Sequence, residues 1–137
     1  MLDKTDMEIL KVLRENSKTQ LKEIGEWVHL TGQAVSNRIS RMEDLGIIKG
    51  YSVVLDETLL GITITAYITV FMKTIQHASF RAFLKKNEFV QEAHKISGDG
   101  CYLLKVQTAS QGELSSFLDA ILEFGNYRVS MSIDKIK

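Results

Sequence analysis

Residues 33–41 carry amide, hydroxyl and guanidinium side chains and contain no acidic side chain. The set consists of Gln33, Ser36, Asn37, Arg38, Ser40 and Arg41. All of these except Arg38 recur at the spacing that places them on one side of a helix. Gln and Asn can bond an adenine edge at two points, Arg can do so with guanine, and Ser can bond a base or a phosphate. The segment therefore predicts hydrogen bonding in the major groove of duplex DNA, with Arg38 and Arg41 on phosphate or guanine.

The other side of the same segment is apolar, because Val35, Ile39 and Met42 recur at i, i+4 and i+7. We expect this helix to begin after Thr31 as N-cap and to end at Gly46. The helix before it is expected to follow Thr19 as N-cap and to bury Leu21, Ile24 and Val28. Only a few residues separate the two helices. A connection this short predicts a helix-turn-helix.

A first helix precedes this pair. Asp3 is a good N-cap, and the negative charge of Asp6 in the first turn complements the positive end of the helix dipole. Apolar residues then recur at helical spacing up to a polar break at residues 15–17. After the third helix, residues 47–55 are expected to form a strand that acts as a wing or linker. We thus assign residues 1–50 to a helix-turn-helix domain, 51–61 to a linker strand and 62–137 to a second domain.

The second domain alternates strands and helices. Strands are predicted at residues 62–73, 90–97, 102–109 and 127–136, and helices at 78–86 and from Ser110, which forms a capping box with Glu113, to Gly125. The order βαββαβ predicts a ferredoxin-like α+β sandwich with both helices on one face of the sheet. We expect the uncovered face to carry Tyr67, Phe71, Tyr102 and Leu104. An apolar face of this kind predicts a homodimer, which would present two recognition helices about 34 Å apart.

Composition narrows the classes of protein. Seventeen basic and 17 acidic residues and a pI of about 6.8 mean that DNA contact must depend on local charge. The single Cys101 and the absence of a leader or a long apolar run predict a cytoplasmic protein without disulfides or membrane segments. No metal site is expected from the scattered histidines, and no cofactor, because Gly98-x-Gly100 precedes a strand and lacks a third glycine.

Several runs of residues, distributed over the whole chain, match a known pattern. They are Leu2-Asp3-x-x-Asp6-x-x-Ile9-Leu10-x-x-Leu13, Leu21-x-x-Ile24, Leu30-Thr31, Val35-x-x-Arg38-Ile39-x-Arg41-Met42-Glu43, Gly46-Ile47-Ile48, Leu60-Gly61 and Gly98 to Lys105. These runs resemble the Lrp/AsnC, or feast/famine, regulators of bacteria and archaea. The resemblance implies a helix-turn-helix reader of double-stranded DNA joined to a domain that dimerises and commonly assembles further, often to octamers.

The resemblance also implies an effector site where dimers meet, for an amino acid or a related small metabolite. Carried over to this chain, the site consists of Gly98, Asp99, Gly100, Cys101 and Tyr102. Cys101 stands where many amino-acid-responsive members have an aspartate. The usual anionic partner for an α-amino group is therefore absent unless Asp99 replaces it. Lys18 stands where many members have arginine, which keeps the charge but loses the planar fork.

Three functions are open at this point. The first is a DNA-binding transcription regulator that oligomerises and responds to a small metabolite. The second is a nucleoid-like protein that wraps DNA with little sequence preference. The third is a small-molecule-binding or enzymatic module on the ferredoxin-like scaffold, for which no catalytic arrangement can be found at a specific spacing. The acid-free polar face of the third helix favours DNA binding and a protein that is not an enzyme.

Overall fold

The computed structural model describes residues 1–137, which divide into two units, Met1–Val54 and Leu55–Lys137. The division falls inside the segment 51–61. The first unit contains three helices: α1 (Lys4–Glu15), α2 (Leu21–Val28) and α3 (Gly32–Asp44). Their core consists of four fully buried residues, Ile9, Ile24, Val35 and Met42. The helical periodicity of the sequence thus becomes one apolar cluster, and each helix contributes to it.

Capping residues explain where the helices begin. The Asp3 carboxylate accepts a hydrogen bond from the Asp6 backbone, and Asp6 reciprocates, which completes a capping box at α1. Thr31 accepts from the Ala34 backbone at 3.1 Å and caps α3 as predicted. The prediction for α2 was wrong. Gln20 occupies its N-cap position, and Thr19 instead donates its hydroxyl to the Asn16 carbonyl at 2.7 Å within the turn after α1.

The strand predicted over residues 47–55 does not form. Gly46 ends α3 with a φ of +72°, and the backbones of Ile47 and Ile48 donate back to the Met42 carbonyl. Beyond Ile48 the chain has no regular secondary structure as far as a short 3₁₀ turn, Thr58–Leu60, and pairs with no strand. Apolar residues with strand propensity occur here, as the pattern indicated. A strand also needs a pairing partner, and the unit supplies none.

The second unit is a βαββαβ sandwich, as predicted. Its elements are β1 (Ile64–Met72), α4 (His77–Lys86), β2 (Val90–Lys95), β3 (Tyr102–Thr108), α5 (Gln111–Ile121) and β4 (Gly125–Met131). The strands form one antiparallel sheet in the order β2-β3-β1-β4. Phe80, Leu84, Leu114, Phe117 and Ile121 pack from the two helices onto the sheet. Ser110 caps α5 by accepting a hydrogen bond from the Glu113 backbone. The Glu113 carboxylate accepts a hydrogen bond from the Ala109 backbone instead of the Ser110 backbone, so the predicted capping box is not completed.

Two details of this domain differ from expectation. Gly125 does not end α5, which stops at Ile121; it is the first residue of β4. Tyr102 and Leu104 lie in the core and not on the uncovered face, because they pair with the core residues Val70 and Ile68. The uncovered face instead carries alternate residues such as Tyr67 and Phe71 beside Lys105, Gln107 and Arg128, and is therefore mixed in polarity rather than apolar.

Candidate nucleic-acid interface

A tight turn joins α2 to α3. His29 ends α2 in the left-handed conformation, with φ +58°, and the Leu30 backbone donates to the Gly25 carbonyl at 2.9 Å. Because the chain folds back on α2, a Cβ at Gly25 would lie only 2.4 Å from the Leu30 carbonyl oxygen. Sequence reasoning missed Gly25, although a glycine inside a helical pattern is a signal of close backbone approach. This turn fixes the position of α3 relative to α2.

The outer face of α3 carries most of the predicted side chains. Gln33, Asn37, Ser40 and Arg41 are exposed, whereas Ser36 is half-buried. Gln33 donates from Nε2 to Asn37 Oδ1 at 3.0 Å, so the two amides, one helical turn apart, form a connected pair. The pair leaves the Gln33 carbonyl oxygen and the Asn37 amino group free. This face thus presents an acceptor and a donor of the kind that adenine recognition uses.

Arg38 lies apart from this exposed face, on the flank of α3 that faces α1. Its Nη1 donates to both carboxylate oxygens of Asp3, at 2.7 and 2.9 Å, and to Asp6 Oδ1 at 2.9 Å. These contacts span more than thirty residues of sequence and join the start of α1 to the middle of α3. The guanidinium therefore links two helices, and its Nη1 is fully occupied within the protein.

Arg41 lies one turn further along α3 and is held more loosely. Its Nη1 is 3.7 Å from Asp6 Oδ2, which is beyond hydrogen-bonding distance, and half of its side chain is exposed. Asp6 itself is 1% exposed, so one buried carboxylate lies between the two arginines of α3. The two cations of this helix differ in availability: Arg38 is bound within the protein, and Arg41 can extend into solvent.

The Asp3–Arg38 contact makes the first unit sensitive to acid. Hydrogen bonding from Arg38, assisted by the Asp6 backbone, lowers the pKa of Asp3 below its ordinary value of 3.8. A carboxyl with a lowered pKa contributes stability above its unfolded pKa and loses that contribution as the pH falls through the folded one. The two carboxylates in turn raise the pKa of Arg38, which stays charged throughout.

We therefore expect wild type to be more stable than Asp3→Asn near neutral pH, and the difference to disappear once the pH falls well below 3.8. Urea unfolding followed by fluorescence of Trp27, the only tryptophan and part of α2, measures this difference at each pH. A difference that persists unchanged in strong acid would contradict the ion pair.

The predicted effector residues form the loop before β3 and the start of that strand. Gly98 and Gly100 adopt φ values of +89° and +86°, which glycine tolerates at no steric cost. The Cys101 backbone donates to the Val70 carbonyl at 2.8 Å, which fastens the loop to β1. Cys101 is a free, half-buried thiol. The loop thus turns through two glycines with positive φ and is joined to β1 by this main-chain hydrogen bond.

Tyr102 differs from the four residues before it, because its side chain is buried under α4. Its hydroxyl lies 2.8 Å from His77 Nδ1 and 3.4 Å from Arg81 Nε. The structure therefore does not place the Tyr102 side chain at the surface with Asp99. No group of three or more metal-ligating side chains occurs in the chain. None of its helices combines the length and apolarity that a membrane crossing requires.

Comparison with protein families gives two adjacent matches. Residues 2–49 match the family described as winged helix-turn-helix DNA-binding, and residues 65–137 match the Lrp/AsnC ligand binding domain. Among curated proteins, the chain is similar to the HTH-type transcriptional regulator LrpB of Bacillus subtilis, with 46% identity over 99% of this chain and 91% of the relative. It is also similar to LrpA of the same organism, with 38% identity over 98% of this chain and 100% of the relative.

Solved structures also superpose on the whole of this chain. A transcriptional regulator of Neisseria meningitidis in complex with L-Met superposes with a TM-score of 0.93 at 29% identity, over 100% of this chain and 93% of the other. B. subtilis LrpC superposes with a TM-score of 0.93 at 23% identity, over 100% of this chain and 98% of the other. At that identity the match supports the fold alone.

Proposed function

The chain belongs to the Lrp/AsnC family of transcription regulators, and we propose that it binds operator DNA through the exposed face of α3. The observation that carries this proposal is the connected amide pair of Gln33 and Asn37 on an acid-free, exposed helix face. A packing helix does not require such a pair. In the major groove, its free donor and acceptor bond a base edge.

The side chains of this face have different proposed roles. Gln33 and Asn37 read bases, Ser36 and Ser40 add hydrogen bonds at the margins, and Arg41 contacts a phosphate. Arg38 serves a structural role in this proposal, because Asp3 and Asp6 occupy its Nη1. A neutral chain with one extendable arginine on its recognition helix obtains little affinity from long-range attraction. Sequence reading by the amides then accounts for more of the binding, which favours an operator-specific regulator over a DNA-wrapping protein.

We expect Arg41→Ala to weaken binding by about 1 kcal/mol on operator and random duplex alike, and to reduce the salt dependence by about one phosphate contact. The promoter of the protein's own gene serves as the first operator candidate, and fluorescence anisotropy over a salt series measures both quantities. Arg14→Ala removes the same charge from the exposed last turn of α1 and serves as the matched control.

Two results would contradict this assignment. If wild type binds no duplex even at low salt, the DNA-binding proposal fails. If Arg41→Ala weakens binding to the operator and leaves random DNA unaffected, Arg41 reads a base instead of a phosphate. Gln33→Ala and Asn37→Ala are expected to show that second pattern, because base contacts carry sequence discrimination of about 1–3 kcal/mol each.

A second part of the proposal concerns the other domain. We propose that it self-associates and that residues 98–102 bind an amino acid or a related metabolite. The relative from N. meningitidis forms a complex with L-Met, and in this chain a hydrogen bond from the Cys101 backbone to the Val70 carbonyl joins the loop to β1. Asp99 supplies the only carboxylate of the loop and is the partner for an α-amino group. Tyr102 contributes indirectly, because its buried side chain holds the start of β3 against α4.

A further inference from the structure

Two carboxylates of α1 oppose the two arginines of α3. Asp3 and Asp6 are bound by Arg38, and the second oxygen of Asp6 faces Arg41 at 3.7 Å. No other acidic side chain lies within ion-pair distance of either arginine. The recognition helix, although rich in hydrogen-bonding groups, therefore presents little uncompensated positive charge.

The two arginines differ in the strength of their ion pairs and in exposure. Arg38 makes three hydrogen bonds of 2.7–2.9 Å, whereas Arg41 makes a single longer contact to the same buried Asp6. Attraction between opposite charges falls with distance and with solvent exposure. Arg41 is therefore the arginine that can leave the Asp6 carboxylate and bind another anion. Asp6, the carboxylate nearest to Arg41, is itself held in place by the capping box of α1.

We propose that Asp6 is a positioning residue of the DNA-binding face that competes with DNA phosphate for Arg41. This inference rests on the proposed binding of DNA by α3. Each phosphate contact of Arg41 then requires release of Asp6, so Asp6 lowers affinity for duplex DNA of any sequence. Because the phosphate contact of Arg41 is proposed for operator and random duplex alike, the competition weakens both complexes and leaves the ratio of operator binding to random binding unchanged.

The test compares Asp6→Asn with wild type on random and operator duplexes over a salt series. Asn keeps the shape of the side chain and an acceptor oxygen for the Asp3 backbone but removes the charge. Glu8→Gln removes the same charge from an exposed position of α1 that contacts neither arginine, and so controls for the change in overall charge.

We expect Asp6→Asn to bind random duplex several-fold more tightly than Glu8→Gln does, with a salt dependence steeper by about one phosphate contact. The operator-to-random ratio should stay unchanged, because the freed phosphate contact strengthens both complexes. In an Arg41→Ala background the gain should vanish, because Arg41 carries it. A variant that loses affinity on all DNA at the wild-type salt dependence would overturn the proposal and leave Asp6 a purely structural role.

Folding is checked by Trp27 fluorescence before each titration. If Asp6→Asn fails to fold, Asp6→Gln decides the question, because Gln also removes the charge and can close the capping box with Asp3. Tighter random binding by Asp6→Gln that disappears in the Arg41→Ala background supports the competition, and unchanged binding refutes it. Failure of the underlying DNA proposal is distinct, since wild type itself would then bind no duplex.

Discussion

Replacing Gly25 with alanine is expected to destabilise the N-terminal unit by about 1–2 kcal/mol and to weaken binding to every duplex. The new Cβ would lie 2.4 Å from the Leu30 carbonyl oxygen and 3.3 Å from the Thr31 carbonyl carbon. All of these neighbours are backbone atoms, so the turn itself must move. Overpacking of this kind costs roughly 1–3 kcal/mol and occasionally more, which exceeds the gain of about 0.5–1 kcal/mol in helix propensity.

Gly32→Ala is the matched control, because Gly32 lies at the other end of the same turn. Its Cβ would make ordinary contacts, the nearest 3.5 Å from the Lys22 backbone nitrogen. Urea unfolding followed by Trp27 fluorescence should shift strongly for Gly25→Ala and little for Gly32→Ala, and DNA titration should give the same order. Equal behaviour of the two variants would mean that the turn is looser than the structure indicates.

Local sequence patterns predict α3 and its polar face well, because caps and helical spacing act within a few residues. Thr31 caps the helix and Val35 and Met42 are buried, as their positions required. The role of Arg38 is different in kind. Its partner Asp3 is 35 positions away in sequence, and no local pattern reveals a contact that depends on how two helices pack. A cationic side chain on a recognition helix therefore suggests DNA contact until its surroundings are known.

The same limit explains the errors in the second domain. Alternation along β3 correctly separates its residues into two faces but does not say which face the helices cover. The register settles this, since Tyr102 pairs with Val70 and Leu104 with Ile68, both of which are buried under α4 and α5. The argument for a dimer from a wholly apolar sheet face therefore weakens. The proposed self-association is supported instead by family membership and by a face that mixes aromatic and charged side chains.

Gly100→Ala is expected to destabilise the second domain by about 2–4 kcal/mol, because it combines two costs. At φ +86° any other L-residue is strained by about 1–2 kcal/mol. In addition, the new Cβ would lie 2.5 Å from the Thr69 methyl group and 3.3 Å from the Val70 carbonyl oxygen, which already accepts from Cys101. The loop must then leave β1, and we expect ligand binding at residues 98–102 to be lost with it.

Gly98→Ala separates the two costs. Gly98 has nearly the same φ, +89°, but its Cβ would meet nothing within 4 Å, so only the strain of about 1–2 kcal/mol applies. Thermal unfolding followed by far-UV circular dichroism measures stability, and calorimetric titration with L-Met and other amino acids measures ligand binding. If both variants lose the same stability, the contact between Gly100 and β1 has no energetic role. If Gly100→Ala binds every ligand that wild type binds, the loop is not the effector site.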